Sequence, residues 1–186
     1  AELTPVTAIE NWTVSDDTTA SFTLDEVNIA DGATLTVDGR AIVNTANSLT
    51  VNASDDSNGA VTVHGSAGGD TFTLSASDLG DTFNGYAGAD GFTVAAAQLT
   101  TLDTIDGGTG DDTLTLSSAD AVVDADLTNV SNVETLAVAA AGSDLTLGAE
   151  YAEASFAAIT GSTGANSITL GAGVTTNQTV ALVAGT

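Results

Sequence analysis

The chain has 186 residues and a formal net charge of −24, from 25 acidic residues set against a single basic one, Arg40. With no lysine and one arginine it has almost nothing to meet a phosphate backbone, which argues against nucleic-acid binding. Cysteine is absent, so disulfides and thiolate metal sites are excluded. No apolar run reaches the roughly 18 residues of a membrane span, so membrane insertion is not expected. Ala1 opens no recognisable secretion signal, and both ends read as cuts through a longer chain.

Nineteen of the acids are aspartate and six are glutamate. Aspartate belongs to turns and glutamate to helices, so the acid is expected in turns. Hydrophobic residues make up 42% but aromatics only 4%, which predicts a thin core of Val, Leu and Ile. So much like charge opposes compaction unless cations neutralise it.

A short strand recurs along the chain: an apolar residue, a threonine or other small residue, then another apolar residue. It occurs at Leu35-Thr36-Val37, Leu49-Thr50-Val51, Val61-Thr62-Val63, Phe72-Thr73-Leu74, Phe92-Thr93-Val94 and Leu114-Thr115-Leu116. It returns at Leu136-Ala137-Val138, Leu145-Thr146-Leu147, Ile168-Thr169-Leu170 and Val180-Ala181-Leu182. Period-two alternation puts the apolar residues on one face and threonine on the other. Very short strands joined by turns that themselves repeat favour a solenoid over a sandwich. The expected fold is all-β: a right-handed parallel β-solenoid, β-helix or β-roll-like, with irregular rungs and short helical turns.

Strand spacing divides the chain into three zones. Residues 1–64 form an N-terminal β region, either solenoid rungs or a small β domain, with strands every 12 to 14 residues. Residues 65–118 form glycine-aspartate rungs with strands every 20 to 22. Residues 119–186 continue the solenoid with longer insertions. The Ala-rich stretches Ser118–Leu136 and Gly148–Ile159 are expected to hold single helical turns.

Four segments share the pattern G-x-x-G-x-D-x-apolar, with Asn for Asp in the last. They are Gly65 to Phe72, Gly85 to Phe92, Gly107 to Leu114 and Gly161 to Ile168. Glycine lets a loop turn its carbonyls inward, and the aspartate adds a hard anionic oxygen. Ca²⁺ takes six to eight such oxygens, more than one loop supplies but within reach of two stacked loops. Asp70 and Asp90 are therefore expected to flank one ion, and Asp90 and Asp112 a second. Carbonyls of Gly65, Gly68, Gly85, Gly88, Gly107 and Gly110 are candidate co-ligands, and Asp111 adds outer-sphere charge. Asn166 keeps an oxygen but no charge, so its loop is expected to be ion-free. The competing reading is that hydrogen bonds replace the ion in degenerate turns.

From Gly65 to Leu116 the sequence resembles the RTX calcium-binding repeats of type I secreted bacterial proteins. The stretch Ile105 to Leu116, followed by Asp126 to Leu136, is similar to repeats of RTX-type surface-layer proteins and large adhesins; Leu145 to Leu170 looks like the same unit again. The resemblance implies an acidic protein, secreted or at the cell surface, that folds with calcium outside the cell. It implies a non-enzymatic structural role, self-assembling into a surface layer or biofilm matrix. The alternative is a stalk or ligand-binding module of a large RTX adhesin. Expected partners are further copies, met through calcium and the solenoid ends or faces, with a cell-surface polysaccharide as a further candidate.

The remaining residues read plainly. His64, the only histidine, has no second histidine or cysteine for a zinc site. Arg40 is expected to pair with a nearby carboxylate, with an assembly contact as the other reading. Adjacent acids such as Asp16-Asp17 and Asp55-Asp56 lack the cleft that a glycosidase pair needs. Trp12, Phe22, Phe72, Phe83, Phe92 and Phe156 are expected in the core or caps, and Tyr86 exposed in its glycine loop. Outward threonines could order water or carbohydrate, but uneven rungs argue against a flat lattice match.

Overall fold

A strand that alternates apolar and threonine positions has two unlike faces, and only one of them favours water. The computed structural model describes residues 10–162, 164–174 and 179–181, and in it the apolar faces turn inward. Thr34–Asp38 buries Leu35 and Val37, Leu49–Asp55 buries Leu49, Val51 and Ala53, and Ala60–His64 buries Val61 and Val63. Thr163 and Leu182, which belong to the fourth glycine loop and the last expected strand, lie outside the described residues.

The strands stack as a parallel β-solenoid. One sheet joins Asn11–Thr13, Thr34–Asp38, Ala60–His64, Thr82–Asn84, Thr104–Asp106 and Val130–Ser131 in sequence order. The second joins Ala20–Asp25, Leu49–Asp55, Thr71–Thr73, Gly91–Val94, Thr113–Leu116, Thr135–Val138, Ala158–Thr160 and Thr179–Ala181. These eight strands are climbed in seven turns. A third sheet, Ala121–Val123, Asp144–Leu147 and Ser167–Leu170, begins as the first one ends.

Register shows the length of a turn. Phe72 lies over Val51, Phe92 over Phe72, Leu114 over Phe92 and Leu136 over Leu114, so a turn here takes about 20 to 22 residues. On the first sheet Val63 lies over Val37, Phe83 over Val63 and Ile105 over Phe83. The strands 12 to 14 residues apart before Val63 therefore belong to alternate sheets and mark half-turns. The 20-to-22 spacing after Gly65 marks whole turns, because the strands Thr82–Asn84 and Thr104–Asp106 lie between. They escape the apolar-Thr-apolar pattern: each has one apolar residue flanked by polar ones. Strand pairing runs through positions 64 and 118 without interruption, from Ala60–His64 to Thr82–Asn84 and from Thr113–Leu116 to Thr135–Val138.

Helix is confined to single turns. Ala96–Gln98 and Asp124–Leu127 are 3₁₀, and Ala149–Glu153 is α-helical. The latter two fall in the Ala-rich stretches. Asp124 accepts the Gly148, Glu150 and Tyr151 amides at 2.6, 3.2 and 3.1 Å, so an acid one turn back caps the short helix.

The core is one continuous cluster with a single filling layer between the sheets. Phe72 packs on Phe83 and Phe92 with ring centroids 5.6 and 5.5 Å apart, and all three are fully buried. Each such side chain contributes about 1.5–3 kcal/mol by leaving water. Trp12 and Phe22, with centroids 4.4 Å apart, are only half-buried and cover the first turn.

Candidate functional site

Where a turn bends into the second sheet, an inward-facing acid sits immediately before the strand. Asp70, Asp90 and Asp112 occupy this position on successive turns, and all three are buried. They do not gather around one point. Each instead reaches to the adjacent turn: Asp70 Oδ1 accepts the Leu49 amide at 2.7 Å, Asp90 Oδ1 the Asp70 amide at 2.7 Å, and Asp112 Oδ1 the Asp90 amide at 2.7 Å. Glu134 extends the column by accepting the Asp112 amide at 2.8 Å. The expected adjacency of these acids is therefore present, and what links them is a carboxylate-to-amide ladder. The fourth glycine loop lies elsewhere, before the third sheet, where Asn166 Oδ1 accepts the Ser143 amide of the adjacent turn at 3.2 Å and Nδ2 donates to Ser162 Oγ at 3.3 Å.

The glycines of the motif explain why these turns approach so closely. A β-carbon on Gly65 would stand 2.5 Å from Asp70 Oδ2 and 2.6 Å from the Gly85 carbonyl. One on Gly85 would collide with Asp90 Oδ2 and the Gly107 carbonyl, and one on Gly107 with the Asn132 carbonyl and Asp112 Oδ2. Gly68, Gly88 and Gly110 form a second column, each lying against the carbonyl of the turn before: Asn47, Gly68 and Gly88 respectively. Gly88 and Gly110 also take positive φ, +124° and +146°. Asp111 is exposed, and its charge helps to raise the pKa of Asp112.

The second carboxylate oxygens differ from loop to loop. Asp70 Oδ2 accepts the Ser66 amide at 2.6 Å, and the Ser66 hydroxyl donates to Asp70 Oδ1 at 2.6 Å. In the next two loops that place is taken by Tyr86 and Gly108, whose φ of +70° and +95° carry the backbone the other way. Asp90 Oδ2 and Asp112 Oδ2 are left buried with no hydrogen-bond partner. Burial raises the pKa of Asp90 to about 7, with the Asp70 and Asp112 charges adding to the shift. Burial likewise raises Asp70 and Asp112 above the usual carboxylate range.

A second ladder runs up the opposite corner, which the glycine search missed. Asp81 Oδ1 accepts the Val61 amide at 2.8 Å and Asp103 Oδ1 the Asp81 amide at 2.9 Å. Here both oxygens are used: Asp81 Oδ2 accepts the Ser75 amide at 2.8 Å, and Asp103 Oδ2 the Thr100 amide at 2.8 Å. Burial raises Asp81 to about 6. The signal was present as Asp-Thr-apolar at Asp81-Thr82-Phe83 and Asp103-Thr104-Ile105, matching Asp70-Thr71-Phe72 and Asp112-Thr113-Leu114.

In kind, the glycine corner suits a hard cation: carboxylate and carbonyl oxygens with no nitrogen or sulfur. Among the described residues no group of three or more His, Asp or Glu side chains could hold a metal ion, so carbonyls would have to carry most of the coordination. Asp55 is exposed while its neighbour Asp56 is buried. Fold and site together define a parallel β-solenoid whose turns are cross-linked by buried carboxylates. No family model, curated protein or solved structure matches the chain.

Proposed function

We propose that the chain is a calcium-stabilised structural module that works outside the cell, non-enzymatic, and assembles with copies of itself into a surface layer or matrix. The observation that carries this reading is the pair of buried, unpartnered carboxylate oxygens, Asp90 Oδ2 and Asp112 Oδ2, in glycine-lined loops. A bond of this kind does not need the charge, because Asn166, before the third sheet, makes one to the adjacent turn with an amide. A buried ionised oxygen without a partner is costly, and a divalent cation would offset that cost. Asp90 and Asp112, with the Gly107 and Asn132 carbonyls that lie beside their free oxygens, would hold it, and the cation would supply charge neutralisation between turns. The charge of −24 fits a protein that folds without calcium but gains stability when the ion neutralises part of that charge.

The test is a calcium titration followed by circular dichroism and light scattering on one sample. A cooperative rise in the melting temperature of the β signal, reversed by chelator and accompanied by growth in particle size, is the expected result. Calcium-dependent stabilisation without growth would favour the stalk of an adhesin. A folded monomer indifferent to calcium would contradict the proposal.

A further inference from the structure

Three side chains that are rare in this sequence meet at one corner. Asp38, His64 and Asn84 lie directly over one another at the ends of three strands of the first sheet. Two residues further along, Arg40 and Tyr86 project from the turns that follow. The only arginine, the only histidine and one of two tyrosines are thereby brought together from three successive turns. Arg40 and Tyr86 border a shallow cavity of about 270 Å³ that Ile42, Gly65, Ser66, Ala67 and Ala87 also line, and His64 reaches it through Tyr86.

The polar groups of this corner are fixed in place. Arg40 Nε and Nη2 donate to Asp38 Oδ1 and Oδ2 at 2.9 and 2.6 Å, a two-pronged pair whose guanidinium remains half exposed. That bond holds the Asp38 pKa down at about 2. The Tyr86 hydroxyl is hydrogen-bonded to His64 Nδ1 at 3.1 Å, and the two rings lie with centroids 6.0 Å apart. Tyr86 is 42% exposed although it is one of the few aromatics in the chain. It also holds a left-handed backbone, φ +70°, at a position where the next turn uses Gly108. A bulky residue kept in a conformation natural to glycine points to a task for its ring.

We propose that this corner binds one pyranose ring of a neutral oligosaccharide. The exposed tyrosine face and the half-buried methyls of Ala67 and Ala87, over the buried Ile42, offer apolar cover for the C–H face of a sugar. Beside them the half-exposed Arg40 guanidinium, held in fixed geometry by Asp38, presents donors to the sugar's hydroxyls. An anionic ligand is disfavoured: Arg40 is already neutralised, and the surrounding chain is strongly negative. The cavity falls just short of the roughly 300–1,000 Å³ that encloses a drug-sized ligand, which fits one ring of a longer chain rather than a buried molecule. The cavity also takes in Gly65 and Ser66, which bonds Asp70, and Tyr86 stands in the next glycine loop, so sugar binding is tested with calcium present.

The test titrates the whole ¹⁵N-labelled chain, in calcium-containing buffer, with cellotetraose, maltotetraose, mannotetraose and chitotetraose, and with tetragalacturonate as the acidic counterpart. Because Arg40 and His64 are the only residues of their kinds, the arginine Nε–Hε signal and the imidazole signals each stand alone in the spectrum. A saturable shift of both with at least one neutral sugar is expected. Tyr86→Gly, which suits the left-handed backbone and so keeps the fold, should weaken that binding by at least about tenfold. Tyr86→Phe, which keeps the ring, should stay within about threefold of the parent. No shift with any neutral sugar, equal binding by Tyr86→Gly, or binding of tetragalacturonate alone would overturn the proposal. So would loss of self-association, rather than of sugar binding, as the sole effect of Tyr86→Gly.

Discussion

The two carboxylate ladders use one device at opposite corners of the same turns, and they finish it differently. At the Asp81–Asp103 corner both oxygens of each acid are occupied, the second by the Ser75 or Thr100 amide. At the Asp90–Asp112 corner the second oxygen has no donor, because the loop residues that could supply one take positive φ. The polar corner is complete with protein atoms alone. The glycine corner has two acceptors left over, the feature on which the proposed cation rests.

The largest effect that tests this contrast comes from truncating each ladder in the presence of chelator. Asp81→Ala strands the Val61 and Ser75 amides in a buried site and should cost about 2–4 kcal/mol in denaturant unfolding. Asp90→Ala strands only the Asp70 amide and removes an unpartnered oxygen, so about 1 kcal/mol or less is expected. If calcium stabilises the chain, Asp90→Ala should lose most of that gain and Asp81→Ala little of it. An equal response from both would dissolve the contrast.

Steric crowding should follow the same division. Gly85→Ala would drive a methyl into Asp90 Oδ2 and the Gly107 carbonyl, and a loss of about 1–3 kcal/mol is expected by thermal or denaturant unfolding. Gly91→Ala, whose β-carbon would meet nothing closer than 3.9 Å, should leave stability within about 0.5 kcal/mol. Comparable losses would mean that the close approach of the turns is not what fixes the glycines.

Acid should act in a direction opposite to the usual one. Asp90 has its folded pKa raised to about 7 and Asp81 to about 6, against an ordinary value of 3.8. The folded state therefore holds these protons more tightly than the unfolded chain does. Their contribution is fully present below 3.8 and is lost as pH rises through about 6 to 7. In chelator, melting temperature should rise as pH is lowered from 7 toward 4. Asp90→Asn should flatten the upper part of that slope, and an unchanged slope would place the proton elsewhere. Ser66→Ala removes the hydroxyl that donates to Asp70 and accepts the Gly68 amide, and should cost about 0.5–1.5 kcal/mol in denaturant unfolding.

Much of the fold was legible before the structure. Alternation at Leu35-Thr36-Val37 and its successors was enough for strands, and the repeated turns were enough for a solenoid. The weaker strands Thr82–Asn84 and Thr104–Asp106 were not legible, since a single inward Phe83 or Ile105 carries no period. Missing them turned half-turns and whole turns into a change of spacing. The glycine loops drew the eye to Asp70, Asp90 and Asp112, but Asp81 and Asp103 do the same work without glycine. The corner of Arg40, His64 and Tyr86 could not be seen at all, because it depends on register between turns that the sequence does not number.

The central claim is that the charge at Asp90 and Asp112 serves a cation and not the ladder. Its most direct test is calcium calorimetry and thermal unfolding of the parent chain beside Asp90→Asn/Asp112→Asn. The account predicts that the parent binds calcium and melts higher with it, whereas the double variant stays folded, as Asn166 suggests it can, and ignores the ion. A parent chain indifferent to calcium, or a double variant that responds as the parent does, would contradict it.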